Sequence, residues 1–479
     1  MCSRRCPLSV TRRGFLAASS AALAAPTLGR ASQQLLPLAT PKGPGSRCRP
    51  IVRGCFVRRK GNYGMWWPGA VYDGEAARKR YLGLATATAE ELGIQLDLTP
   101  TPLYSRQEAE AWLAKATEAK PDGLFVVLLD RQQHAWPTAN KAIATGIPTV
   151  VFSPVGTSFT TNTSAPSRKQ GCFIASTDDF NEARYGLKML AAWVKLRATR
   201  CLVIRGSKET ETTLKHLGIT LHHIPARVFI EEYRKTEVND QVEAMADYYL
   251  SHGRKVVGPS RQDVLNGAKS YLVASRLLER HEADAITMDC LGALGRTKIS
   301  LPCLAWSRMN DEGIPAACEA DIGAVATHCI VQYLFDRPGF QQDPVAETAR
   351  QAIIGAHCTC ATRLRGFDQP PEPFDIVHHH GMRDATTRTL WKPGQRVTSA
   401  DVAFGRKGGK VSMLISAGTV LENVSVPPAG GCVVSVMVKF DGVEDVLAYP
   451  GFHQIFFYGD FKRRLVQFCR LVGIEPVVV

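Results

Sequence analysis

The chain has 479 residues, 45% hydrophobic and 21% charged, with 40 glycines and 28 prolines. That balance belongs to a packed globular protein of more than one domain and excludes a disordered, collagen-like or low-complexity chain. The five arginines of the first 31 residues supply part of the formal charge of +14, leaving +9 without a Lys/Arg block interleaved with aromatics, which argues against a nucleic-acid partner.

Arg12 and Arg13 precede an Ala-rich apolar stretch ending near Leu28, and Gly29-Arg30-Ala31 offers a small-x-small cleavage site. Basic region, apolar region and small-residue site read as a twin-arginine export signal over 1–31, with a short basic-flanked helix as the alternative. The mature chain is then expected outside the cytoplasm, in the periplasm or beyond. No apolar run reaches the roughly 20 residues that cross a bilayer, so no integral span is expected.

Residues 32–49, rich in Pro, Gly and polar side chains, read as a linker. From 50 to about 160, apolar strands alternate with amphipathic helices. One helix ends at Gly93, another starts at Ser105 with Glu108 three residues on, and 123–129 is an unbroken apolar strand. The pattern restarts over 161–350, opening with a strand at 172–175 and closing with an apolar helix at 322–335. Residues 351–479 alternate in β fashion between Gly and Pro turns, before a final helix and strand. The expected fold is two open parallel-sheet α/β domains followed by a β-rich C-terminal domain.

Cys2 and Cys6 leave with the signal; the other twelve of the 14 cysteines form no CxxC pair and read mostly as small buried apolar residues, some of which could pair in an oxidising compartment.

Five segments could carry chemistry. Glu319 and Asp321 are two apart, and on an extended segment they share a face, where two carboxylates call for a hard cation such as Mg²⁺ or Mn²⁺. Alternatively Asp321 only caps the helix beginning at Ile322, a reading that spacing alone favours. His453 precedes an apolar strand and is either a ligand or a core histidine. Of His378, His379 and His380, one or two could line a pocket, with a solvated loop an equal alternative. His357-Cys358-Thr359-Cys360 lacks a second ligand pair and reads as core. Trp66 and Trp67 follow the first strand, where ligands of open α/β sheets bind; they suit a sugar face or an interface equally.

Taken in order, Asp289-Cys290-Leu-Gly, Cys303-Leu-Ala, the run Gly313 to Gly323 with Cys318-Glu319-Ala-Asp321, then Asp343, His357-Cys358, His380 and His453 through Asp460 resemble the L-fucose/L-arabinose isomerase family. The likeness is clearest over about 280–479. It implies an aldose–ketose isomerase that holds Mn²⁺ (or Mg²⁺) through two carboxylates and a histidine and works through an enediolate, one carboxylate moving the proton. By that resemblance Asp321 and His453 are metal ligands, Trp66, Trp67 and His380 touch the sugar, and the chain is a homo-oligomer with shared sites. No Glu or Asp lies between Asp289 and Asp311, so the second metal-binding and catalytic carboxylate falls to Glu319, with Asp289 the next candidate. The alternative is an exported carbohydrate-binding protein on the same scaffold that has lost its base.

Overall fold

A computed structural model describes residues 39–61, 63–64, 71–131, 133–405, 410–424 and 432–479. The export segment and the Trp66–Trp67 pair lie outside the described residues.

Strand Gly123–Leu128 is buried at every position, as its unbroken apolar run requires. It is the middle of a parallel sheet ordered Gln95–Leu98, Ile51–Val57, Gly123–Leu128, Thr149–Ser153, Cys172–Ser176. Crossover helices start and stop where their end residues dictate. Asp73 accepts N–H bonds from Glu75 and Ala76 to begin Gly74–Glu91, and Gly93, at φ +65°, takes the left-handed position past its end. Ser105 accepts the Glu108 N–H at 3.2 Å to begin Arg106–Glu118. Strand Cys172–Ser176, read above as opening the second unit, is instead the edge of the first sheet. The Ser/Thr-rich stretch before it is one more crossover, not a boundary.

The second sheet runs Ala316–Cys318, Ala285–Met288, Arg200–Ile204, Thr220–Ile224 in parallel, with Thr210–Thr213 antiparallel at the edge. Helix Ile322–Phe335 leaves the end of this sheet and is buried almost throughout, hence its nearly unbroken apolar sequence.

The β-rich region begins at Phe340, ahead of the expected 351. Its strands close on themselves in the cycle Arg396–Phe404, Gln454–Tyr458, Phe340–Glu347, Ala352–His357, Val434–Phe440, Val411–Asn423 and back to Arg396–Phe404, every pairing antiparallel. A closed barrel removes the unpaired edges that an open sheet would leave. A small separate sheet joins Val256–Val257, Phe374–His379 and Arg383–Thr389.

Part of the expected linker is packed structure. The buried carboxylate of Asp284 accepts the Gly45 and Ser46 N–H groups at 2.9 and 2.7 Å, docking helix Pro44–Arg47. Two bonds tie the barrel to the second sheet's site end: Gln341 Oε1 accepts the Cys318 N–H at 2.8 Å, and Thr327 Oγ1 accepts the Val402 N–H at 2.9 Å. No helix of the described residues is long and apolar enough to cross a membrane.

Candidate metal centre

The carboxyl end of the second sheet supplies the acids, the position where open α/β sheets place ligands. Past strand Ala316–Cys318 the chain does not stay extended, as the two-residue spacing suggested. Glu319 and Ala320 take φ of +62° and +53°. Two successive left-handed non-glycine residues cost about 1 kcal/mol or more each, a strain that the surroundings must hold in place. The turn brings Glu319 and Asp321 to the same side.

Both readings of Asp321 hold at once. Its Oδ1 accepts the Ala324 N–H at 2.7 Å and caps helix Ile322–Phe335, while Oδ2 lies 2.9 Å from His453 Nδ1.

The barrel supplies the rest through register. Asp343 pairs with Ala356, next to His357, and Gln342 pairs with Gln454, next to His453. Asp343, His357 and His453 therefore meet at one barrel end. His453 Nε2 lies 3.2 Å from Asp343 Oδ1 and 3.5 Å from Glu319 Oε2, and His357 Nε2 lies 3.7 Å from Glu319 Oε1. The imidazoles are buried, each 7% exposed in its side chain, and the three carboxylates stand at 31–37%, partly open to solvent.

Charge follows from this packing. Burial opposes a charged imidazole at His453, but the facing Asp321 and Asp343 carboxylates outweigh it and raise its pKa to about 10. The His357 ring holds Glu319 below the usual carboxylate range. Burial pushes Asp401, on strand Arg396–Phe404, up to about 6, and the nearby Asp321 charge adds to the rise.

The donor set fits a hard divalent cation. Asp343 Oδ1 and His453 Nε2 are buried and face one another, yet neither has a hydrogen-bond partner among the described residues. Glu319, His357 and His453 each offer a ligand atom within 4.8 Å of the others. A cation held by Asp321, Asp343, Glu319 and the imidazoles would engage these orphaned atoms and offset the crowded carboxylate charge.

The other expected site residues lie elsewhere or do other work. Asp289 accepts the Gly292 N–H at 3.1 Å and caps helix Cys290–Leu294, so its carboxylate is spent on a helix end. His380 belongs to a separate group, with its Nδ1 3.1 Å from Cys358 Sγ. His357, read as core with Cys358, instead belongs to the acid cluster. Cys358 is buried in the core, as read, and His379 and His380 each also offer it a ring nitrogen within 4.8 Å. Contact with Cys432, together with the two imidazoles, lowers the Cys358 thiol pKa although burial opposes this. All twelve cysteines from Cys48 to Cys469 are free thiols. A third group, Glu209, His222 and His281, has the Arg200 guanidinium 3.3 Å from His222 Nδ1, a poor setting for a cation.

Asp343 had no role in the sequence beyond standing in the family-like run, and His357 read as core. Only strand register brings them to His453, and residue spacing carries no register.

No protein-family model matches the chain, and no curated protein matches it. Among solved structures, an ABC transporter solute-binding protein from Burkholderia multivorans aligns at 12% identity over 50% of this chain and 80% of its own, with a TM-score of 0.17. A sugar ABC transporter (sugar-binding protein) from Bacillus halodurans aligns at 17% identity over 63% and 91%, with a TM-score of 0.18. At such scores these likenesses carry no weight for function.

Proposed function

We propose that the chain binds a small neutral carbohydrate, outside the cytoplasm, through a hard divalent cation (Mn²⁺ or Mg²⁺) held by Asp321, Asp343, Glu319 and His453. The observation that carries this reading is the meeting of acids from the second sheet and the barrel on one buried imidazole, His453. The site gathers Glu319, Asp321 and Asp343, with Asp401 near enough to feel the Asp321 charge. That much negative charge repels phosphorylated or carboxylated compounds and favours uncharged hydroxyl oxygens. Bound there, the cation would hold two neighbouring sugar oxygens and draw charge from the carbons that bear them.

Aldose–ketose isomerisation is the second reading, and the position of Glu319 favours it. Its carboxylate is the most exposed of the three, so it could carry a proton between adjacent carbons of a bound sugar. Against turnover stands Asp289, the other candidate base, which is occupied with capping.

Calorimetry on the chelator-stripped chain separates these readings. Mn²⁺ should bind, neutral pentoses or hexoses should bind only with Mn²⁺ present, and both should be lost in Asp321→Asn. Sugar binding that ignores the metal, or no binding of either, overturns the proposal. Deuterium entering the sugar at C2 in D₂O would establish isomerisation in place of binding alone.

A further inference from the structure

His357 and Cys358 are consecutive, and they point into different chemistry. His357 Nε2 faces Glu319 in the acid cluster, while Cys358 Sγ faces His380 Nδ1 at 3.1 Å. Successive side chains at a strand end alternate in direction, so one strand terminus serves two neighbouring sites.

Adjacent histidines on a regular strand would face opposite ways, yet His379 and His380 stand with ring centroids 3.8 Å apart. The ladder between Phe374–His379 and Arg383–Thr389 explains it. Its register shifts between His378 and His379, and Gly381 and Met382 in the connecting turn and Asp384 in the second strand all take positive φ. A bulge of this kind re-aims a side chain. His378 is left out, with its Nδ1 2.8 Å from the Asp384 carbonyl oxygen.

Ligand atoms of Cys358, His379 and His380 all lie within 4.8 Å of one another. A tetrahedral ion at ordinary Zn–S and Zn–N lengths spaces its ligand atoms roughly 3.3–3.8 Å apart, a small contraction from this arrangement. Cys358 and His379 are 3% and 5% exposed, and His379 Nδ1 is buried without a hydrogen-bond partner among the described residues. Cys432 lies against Cys358 and is half-buried, as is His380, which leaves one side open to solvent. The frame is fixed: Thr386 Oγ1 donates to the Cys358 carbonyl oxygen at 2.8 Å, and Arg383 donates to the carbonyl oxygens of Thr297 and Ile299 across the bulge. Such outer contacts hold ligands in place.

We propose that Cys358, His379 and His380, completed by Cys432, bind a borderline-soft transition-metal ion, Zn²⁺ in the first instance, beside the hard-cation centre. Thiolate and imidazole select this class of ion, as carboxylates select Mn²⁺ or Mg²⁺. On binding, the two thiols give up their protons to solvent and the sulfurs donate to the metal. The site stands independently of the function proposed above.

Co²⁺ reports on it directly, because sulfur ligation gives a charge-transfer band in the near ultraviolet and tetrahedral geometry gives intense visible bands. The full chain, reduced and stripped of metal, should show both at one Co²⁺ per chain, and Zn²⁺ should erase them. Cys358→Ser should lower the affinity at least about tenfold, and His380→Gln, at a less buried position, provides a second variant if the first fails to fold. Asp321→Asn should leave the bands unchanged. Absence of the sulfur band, its survival in both ligand variants, or a Cys358–Cys432 disulfide that persists in reductant overturns the proposal.

Discussion

Asp321 divides its carboxylate between the helix it begins and the imidazole of His453, accepting the Ala324 N–H at 2.7 Å with one oxygen and standing 2.9 Å from His453 Nδ1 with the other. Asn caps a helix about as well as Asp, whereas Ala removes the cap at a cost of about 1 kcal/mol. Asp321→Asn and Asp321→Ala should therefore both lose Mn²⁺ affinity, by about tenfold or more, and both lose the His453 ion pair, but the Ala variant should unfold earlier than the Asn variant by about that cap energy. Calorimetry and urea titration on the two variants check this. Equal stability losses would mean that the cap contributes nothing.

The same helix leans on the barrel through a close approach at Gly323. A Cβ built there would meet the Val402 carbonyl oxygen at 2.7 Å, a backbone atom that cannot swing away. Gly323→Ala should push the first helical turn off the barrel strand and shift Asp321 away from His453. We expect a stability loss of about 1–3 kcal/mol together with weakened Mn²⁺ binding, although residue 323 touches no ligand. A chain that keeps full metal affinity with Ala at this position would show that the spacing between helix and barrel does not set the site.

What could be read from the residues alone follows from what local patterns report. Unbroken apolar runs mark strands buried on both faces, and so 123–129 and the helix at 322–335 stand out before any contact is known. Polar strands such as Thr210–Thr213, exposed along its whole length, carry no such mark. Glu319, Asp321 and His453 were legible because sequence neighbours and a family-like run name them. Asp343 and His357 join only because antiparallel register sets them beside His453, and barrel closure depends on the long-range pairing of Arg396–Phe404 with two partners. Cys358 is a core residue, as its sequence suggests, but its nearness to His379 and His380 depends on a bulge that leaves no spacing signature.

His328 lies within helix Ile322–Phe335, 1% exposed, and burial lowers its pKa to about 3, with the positive potential of His357 adding to the fall. A base whose folded pKa is depressed stays neutral in the folded chain while the unfolded chain takes a proton. Its penalty is absent above about pH 6.5 and grows as pH falls toward 3. At pH 5 it amounts to about 2 kcal/mol. His453, raised to about 10, adds stability as pH falls from 7.5 towards 6, where the unfolded imidazole takes up its proton, but it does so equally in both chains and drops out of the comparison. His328→Gln should therefore flatten the acid side of the stability curve, measured as urea midpoints between pH 7.5 and 5. Parallel curves for the two chains would refute a buried neutral imidazole.

Asp401 works in the opposite direction. Its pKa of about 6 lies above the unfolded value, through burial first and the Asp321 charge second. The folded chain holds the proton longer than the unfolded one, so stability falls as pH rises from about 4 to 6 and stays reduced above that. Asn in its place keeps the shape without the charge. In the metal-free chain, Asp401→Asn should raise stability by about 3 kcal/mol at pH 8 and change little at pH 4. Saturating Mn²⁺ should shrink the gain, because a cation beside Asp321 neutralises part of the field that Asp401 opposes. A gain that is the same with and without Mn²⁺ would separate Asp401 from the metal centre, and a loss at pH 8 would show that its carboxylate serves the fold in its charged form.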